Sequence, residues 1–238
     1  MTYKEIVYFV LDSLKLVSDD SHFTEAHVIF IADKMRSMLL KQRYSDIRKE
    51  VPEANYQTIC VPVERTEAID GKPCTGADYL KSVDKLPHMM PIGNKTVSSA
   101  GDFFQGNFGY VNNERFKYVG NNPFLKNQIY STIAPDKHLY IKSTNPQIYY
   151  VIKVKVTGIF DDASQAAKMS CDENTEDSCD VMDKRFPIED SLVPDLIQLC
   201  VKDLAGTIYQ PTDSENDAAD NLSKLANYIA RNLKERRG

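Results

Sequence analysis

Residues 186–205 read FPIEDSLVPDLIQLCVKDLA, and this stretch constrains the fold more than any other. Pro187 and Pro194 bracket the start of a helix, Glu189 and Asp190 lie where the helix dipole favours negative charge, and Gly206 is placed to close it. Leu192, Leu196, Leu199 or Cys200, and Leu204 recur at three- to four-residue spacing and form one apolar stripe. Such a stripe must be covered. Helices able to cover it are predicted only near the two ends of the chain, and the middle reads as strands. The expected fold is α+β: a helical bundle from N- and C-terminal helices (residues 1–51 and 184–238), with an antiparallel β domain, a small barrel or sandwich, inserted at 52–183.

At the first end the spacing predicts a helix over residues 3–17, with Tyr3, Ile6, Val10, Leu14 and Val17 inside and Thr2 and Glu5 as a capping box. The Ser18–Ser21 turn separates it from a helix over 25–44. That second helix is capped by Thr24, stapled by Phe23 against Val28, and buried along Val28, Ile31, Met35, Leu39 and Gln42. A final helix is expected along Ala218, Leu222, Leu225, Ile229 and Leu233, ending in a basic tail. In the middle, 56–64 reads as a strand that Pro62 moves to an edge or sheet end. A short helix is expected near 77–81 and a strand at 115–120. Further strands are expected at 96–99, 128–133, 138–142 and 149–160, and a short helix at 161–169. Along 149–160, Tyr150, Ile152, Val154 and Val156 alternate with Lys153, Lys155 and Thr157, as in a strand with one wet face.

The chemistry-bearing residues converge on no catalytic motif. His22, His27, His88 and His138 include no pair at zinc-binding helical spacing, since His22 and His27 are five apart. Cys60, Cys74, Cys171, Cys179 and Cys200 are odd in number and lack CxxC spacing, so a disulfide framework or zinc ribbon is not expected; Cys60 and Cys200 read as buried small hydrophobes. Gly101 and Gly106 have P-loop spacing, but Asn107 and Phe108 stand in place of the Lys–Ser/Thr pair. Asp172, Asn174, Glu176, Asp180 and Asp183 fall at EF-hand ligand positions, yet Asp177 replaces the required glycine, so an acidic solvated loop is the expectation. No cofactor and no metal is expected. The net charge of −5 argues against a nucleic-acid-gripping face, and no run reaches the ~18 apolar residues of a membrane span. The amphipathic first helix is not a signal peptide, which places the chain in a cytoplasm unless lysis releases it.

Residues 101–124 hold Phe103, Phe104, Phe108, Tyr110, Phe116, Tyr118 and Phe124 among glycines and asparagines. Seven aromatics left in water would make a patch that a soluble monomer avoids. Either they fill the core of the β domain, or the part around Phe103, Phe104, Phe108 and Tyr110 protrudes as a loop that anchors a partner. The second is the preferred expectation.

Two segments, MTYKEIVYFVLDSLKLVSDDSHFTEAHVIFIADKMRSMLLKQRYSD and FPIEDSLVPDLIQLCVKDL, resemble neck proteins of tailed bacteriophages, and more narrowly ring proteins of the crAss-like phages. The resemblance covers the helical regions, fewer than half the residues. It implies a structural, non-enzymatic virion protein, assembled in the host cytoplasm. Copies of it, twelve to match a portal, would form a ring beneath that portal in contact with neighbouring neck or tail proteins. DNA would pass through the lumen without sequence-specific binding, which an acidic chain suits, and no membrane is involved. The competing reading is a cytoplasmic enzyme or a small-ligand-binding β-barrel whose site is assembled from scattered residues.

Overall fold

The computed structural model describes residues 1–15, 23–46, 48–69, 72–73, 79–92, 97–102, 106–120, 123–125, 127–171 and 180–207. The expected turn at 18–21 and helix at 218–233 lie outside these residues.

Two helices open the chain, α1 (Tyr3–Lys15) and α2 (Glu25–Arg43). α1 starts where its capping box requires: the Thr2 N–H donates to Glu5 Oε2 at 2.8 Å and the Glu5 N–H returns to Thr2 Oγ1 at 3.2 Å. α2 starts at Thr24, whose hydroxyl accepts from the His27 N–H at 3.3 Å, and Phe23 packs against the core beside it. The strands follow: β1 (Gln57–Thr66), β2 (Ala68–Ile69), β3 (Lys72–Pro73), β4 (Tyr79–Ser82), β5 (Val97–Asp102), β6 (Gly106–Asn107) and β7 (Gly109–Tyr110). After the single turn α3 (Asn113–Phe116) come β8 (Tyr130–Ile133), β9 (Leu139–Lys142), β10 (Lys153–Gly158), α4 (Ala163–Lys168) and α5 (Val193–Thr207).

Eight strands form one sheet in the order β6-β5-β10-β1-β4-β9-β8-β7, antiparallel except for the parallel pair β7–β8. The sheet is barrel-like and nearly closed, and the seam lies at one residue. The Phe108 N–H donates to the Ala100 carbonyl on β5, while Gly109 and Tyr110 next to it pair with Tyr130 and Ser131 on β8. Residues 106–110 thus touch both ends of the sheet. Gly101 faces the Gly106 carbonyl so closely that a Cβ there would clash, and Gly106 has φ +74°, so glycine is needed at both sides of this tight return.

Pro62 sits inside a central strand, not at an edge. β1 pairs with β10 as far as Pro62 and with β4 from Val63 onward. The Pro62 carbonyl accepts from the Val83 N–H at 2.9 Å, so the missing N–H faces the end of β4, where the ladder is finishing. The strand expected at 149–160 begins only at Lys153. Val154 and Val156 are buried as their alternation requires, but Tyr150 and Ile152 lie beyond the sheet and are exposed. Two local expectations were of the wrong type: residues 79–82 are strand rather than helix, and 113–116 are helix rather than the start of a strand at 115–120. In both places tertiary pairing overrides a short local pattern.

Two main cores result. One joins α1, α2 and α5 through Tyr3, Ile6, Val10, Leu14, Val28, Leu40, Leu196, Cys200 and Leu204, and also takes Met90, Ile92, Ile159, Ala163 and Ala167 from the middle of the chain. The other fills the barrel with Ile59, Val61, Leu80, Ala100, Phe108, Leu139, Ile141, Val154, Val156 and Phe160. Backbone stitches the start of α1 to the segment leading into α5: the Tyr3 N–H donates to Lys184 O at 3.1 Å and the Phe186 N–H to Met1 O at 3.0 Å. α5 is preceded by a 3-10 turn at Asp190–Leu192 and runs through Gly206 to Thr207, so Gly206 does not stop it.

On α2 the inward face differs from the predicted stripe. Val28 and Leu39 are buried, Ile31 and Met35 are marginal and Gln42 is exposed; Asp33, Arg36 and Ser37 point inward. The cause is Arg36. It is fully buried and donates to three backbone carbonyls: Nε to Pro187 at 2.6 Å, Nη1 to Phe160 at 2.8 Å and Nη2 to Asn55 at 3.0 Å. One guanidinium therefore ties the helical layer to the entry of β1, the exit of β10 and the approach to α5.

Candidate assembly surface and the buried polar centres

The buried polar groups come first, because a catalytic site would be found among them. Around Arg36 lie Asp33, Tyr3, Asn55 and Gln57. Burial pulls the Arg36 pKa down to about 10, while nearby Tyr3, Asp33 and Asp161 hold it up. Burial pushes the Asp33 carboxyl up to about 6 against the Ser164 N–H donating to Oδ2 at 3.1 Å, and it pushes the Tyr3 hydroxyl far above its ordinary value. The Tyr3 hydroxyl, Asp33 Oδ1, Asn55 Nδ2 and Gln57 Oε1 are buried without a bond of ordinary geometry among the described residues. Tyr3, Asp33, Arg36 and Asn55 of this centre are buried, and Gln57 at its border is partly exposed.

A second centre looks superficially catalytic. His138 Nδ1 lies 3.3 Å from Ser82 Oγ, with Asp136 two residues away in sequence. The pair is committed to structure. His138 Nδ1 is 2.8 Å from the Ser82 carbonyl, which can only accept, so Nδ1 carries the proton and is no base toward Oγ. Ser82 Oγ donates to Asp84 O at 2.8 Å and accepts from the Leu139 N–H at 3.0 Å, and Ser82 is fully buried. Asp136 accepts from the Tyr140 hydroxyl at 2.6 Å and lies 3.9 Å from Lys81.

A cleft of about 330 Å³ opens between β1 and α4, lined by Gln57, Thr58, Ser170, Asp183, Lys184 and Arg185 among others. Its central cation is occupied: Lys184 Nζ donates to Ala167 O at 2.6 Å and Ser170 Oγ at 2.7 Å. Among the described residues no group of three metal-ligating side chains occurs. Residues 172–179 of the EF-hand-like loop lie outside the described residues; Asp180 beyond them caps a 3-10 turn by accepting from the Met182 N–H at 3.0 Å. No helix among the described residues is long and apolar enough to cross a membrane.

Cys60 corrects the sequence reading. It is not a plain buried hydrophobe but is joined to Cys171 in a disulfide, with the Cα atoms 4.9 Å apart. Backbone brings the two together, since the Cys60 N–H donates to Met169 O at 2.9 Å and Ile59 bridges Ser170. Cys200 is free and buried in the helical core, and burial lifts its thiol to about 12, which makes it unreactive.

Phe103 and Phe104 lie outside the described residues. Phe108 points into the barrel core and is 6% exposed, whereas Tyr110 on β7 is 40% exposed. Of the loop proposed to anchor a partner, the described part therefore offers Tyr110 on the outside and uses Phe108 to close the barrel. Larger apolar exposure lies elsewhere: Phe124, Tyr150, Ile152, Tyr118, Phe9 and Phe30 are all more than half exposed, although the alternation along 149–160 had placed Tyr150 and Ile152 on the same face as the buried Val154 and Val156.

Residues 5–222 match the family described as phage tail ring protein 2. Ring protein 2 of Bacteroides phage crAss001 is 51% identical over 222 residues, covering 93% of this chain and 98% of that protein. The chain belongs to the phage tail ring protein 2 family.

Proposed function

We propose that this protein is a structural component of the virion that assembles into a closed ring of twelve copies in the head-to-tail neck, beneath the portal, and surrounds the path of the DNA. The observation that carries the proposal is the family match over residues 5–222 together with the near full-length relative named as a ring protein. Supporting it, the Arg36 guanidinium and the His138–Ser82 pair are committed to internal bonds, and several large apolar side chains stand on the surface. The helical layer of α1, α2 and α5 acts as a rigid frame, and the barrel at 52–183 is its insert. Neighbouring neck or tail proteins contact the barrel rim around Tyr110 and the residues before it. DNA passes without sequence-specific contact, since an acidic chain of net charge −5 grips phosphate weakly. Assembly occurs in the host cytoplasm and needs no cofactor.

Immunogold labelling of intact particles tests this directly. Label confined to the neck is the expected result. Particles that are complete and infectious but contain none of the chain refute the proposal.

A further inference from the structure

β1 carries its cysteine on the wet side of the barrel. Ile59 and Val61 point inward and are fully buried, so Cys60 between them points outward, and both Cys60 and its partner Cys171 are partly exposed. Thr58 lies two residues before Cys60 on the same side of the strand, and Ser170 is the neighbour of Cys171. Both line the cleft of about 330 Å³ between β1 and α4. The sulfur pair stands beside a cleft with room for a small molecule.

The contacts that bring the two cysteines together do not depend on the bond between them. The Cys60 N–H donates to Met169 O at 2.9 Å, and Ile59 bridges Ser170. Lys184 Nζ holds the same segment through Ala167 O at 2.6 Å and Ser170 Oγ at 2.7 Å. On its opposite edge β1 is paired with β10 from Gln57 to Pro62. With the sulfurs reduced, these bonds still keep Cys60 and Cys171 as neighbours, ready to join. Cys60 is directly opposed on β10 by Lys155, with Lys153 two residues away. A cation in that place favours the thiolate, the form that attacks a disulfide.

We infer that Cys60 and Cys171 form a thiol–disulfide exchange site for low-molecular-weight thiols and their disulfides, open in a reducing compartment and closed outside it. Closing starts when the Cys60 thiolate attacks one sulfur of the small disulfide; a mixed disulfide forms on Cys60 and one small thiolate leaves. The Cys171 thiolate then attacks Cys60 Sγ, the protein disulfide forms and the second small thiolate leaves. Two electrons pass from the protein sulfurs to the small disulfide, and the two protons of the protein thiols end on the two small thiols released. Opening is the same sequence in reverse. Cys200, buried in the helical core, takes no part. The inference concerns the single subunit and holds whether or not the ring reading does.

Peptide mass spectrometry of the purified full chain, treated with oxidised glutathione, tests it. Cys74→Ser and Cys179→Ser leave only the pair and Cys200 as reactive positions. The reduced protein is expected to keep the circular dichroism spectrum of the oxidised form. Oxidised glutathione is then expected to close the Cys60–Cys171 bond and to leave Cys200 unmodified. With Cys171→Ser added, the mixed disulfide is expected to stop on Cys60. It should form about threefold faster, or more, than the adduct on Cys171 in the protein carrying Cys60→Ser instead. Loss of the native spectrum on reduction, failure of the bond to close, or an adduct on Cys200 in the folded protein overturns the inference. Faster reaction at Cys171 overturns the assignment of Cys60 as the attacking sulfur.

Discussion

Arg36 holds the molecule together more than any other single side chain. Its three acceptors, Pro187, Phe160 and Asn55, lie 151, 124 and 19 residues away in sequence. Replacing it leaves three carbonyls without a donor in a dry site, and losing a buried charge-assisted contact costs more than losing a surface one. Arg36→Met is expected to lose about 3–5 kcal/mol in urea unfolding. The neighbouring Asp33 makes a pH signature. Its carboxyl titrates near 6 in the fold because burial disfavours the charge, against 3.8 ordinarily. The folded state therefore holds a proton that the unfolded chain has released, so this group favours folding fully only below about pH 4. Its contribution drains away as pH rises from 4 to 6. Stability measured across that range should fall by on the order of 2 kcal/mol relative to the Asp33→Asn variant, which does not titrate. Parallel curves for the two proteins would show that Asp33 is ionised throughout. None of this could be read from the chain. A lone Arg in a helix reads as solvated, and its partners are distant carbonyls that have no sequence signature. The pairing of Cys60 with Cys171 across 111 residues was hidden for the same reason.

At the scale of elements, much more was legible. The capping box of Thr2 and Glu5, the Thr24 cap and the stripe Leu192, Leu196, Cys200, Leu204 are local patterns, and the fold uses each of them. Leu196 is fully buried between α1 and α2, and Leu196→Ala is expected to cost about 2–5 kcal/mol in a urea melt. Short segments were less legible. Phe116 and Tyr118 alternate as strand residues do, yet Asn112 opens a single helical turn there and Phe116 plugs a small cluster with Tyr79 and Tyr140. Phe108 could be assigned to a core or to a partner, and only the closure of the sheet shows its inward direction. Because it fills the barrel at the seam where the strand ends meet, Phe108→Ala is expected to cost about 3–5 kcal/mol and to raise amide exchange in β5 and β8 before the rest of the sheet.

For the whole molecule, packing and the Arg36 hydrogen bonds hold the helical layer to the barrel, and a disulfide closes the barrel segment on itself. Cys60 lies on β1 and Cys171 follows α4, so the disulfide closes a loop that contains most of the barrel. Reductant is expected to lower unfolding stability by about 2–4 kcal/mol, and Cys60→Ala should abolish the difference between reduced and oxidised protein. That the chain mixes helices with a run of strands between α2 and α4 could be read from periodicity. The contribution of Met90, Ile92 and Ile159 to the helical core could not, because it depends on how the barrel returns to the helices.

A ring is a property of many copies, and the most direct measurement is a cryo-electron-microscopy reconstruction of the intact particle with symmetry left free at the neck. Density for this chain as a closed twelve-membered ring beneath the portal, with the DNA path at its centre, is the expected result. A neck in which this chain occurs as single or scattered copies, or not at all, would contradict it.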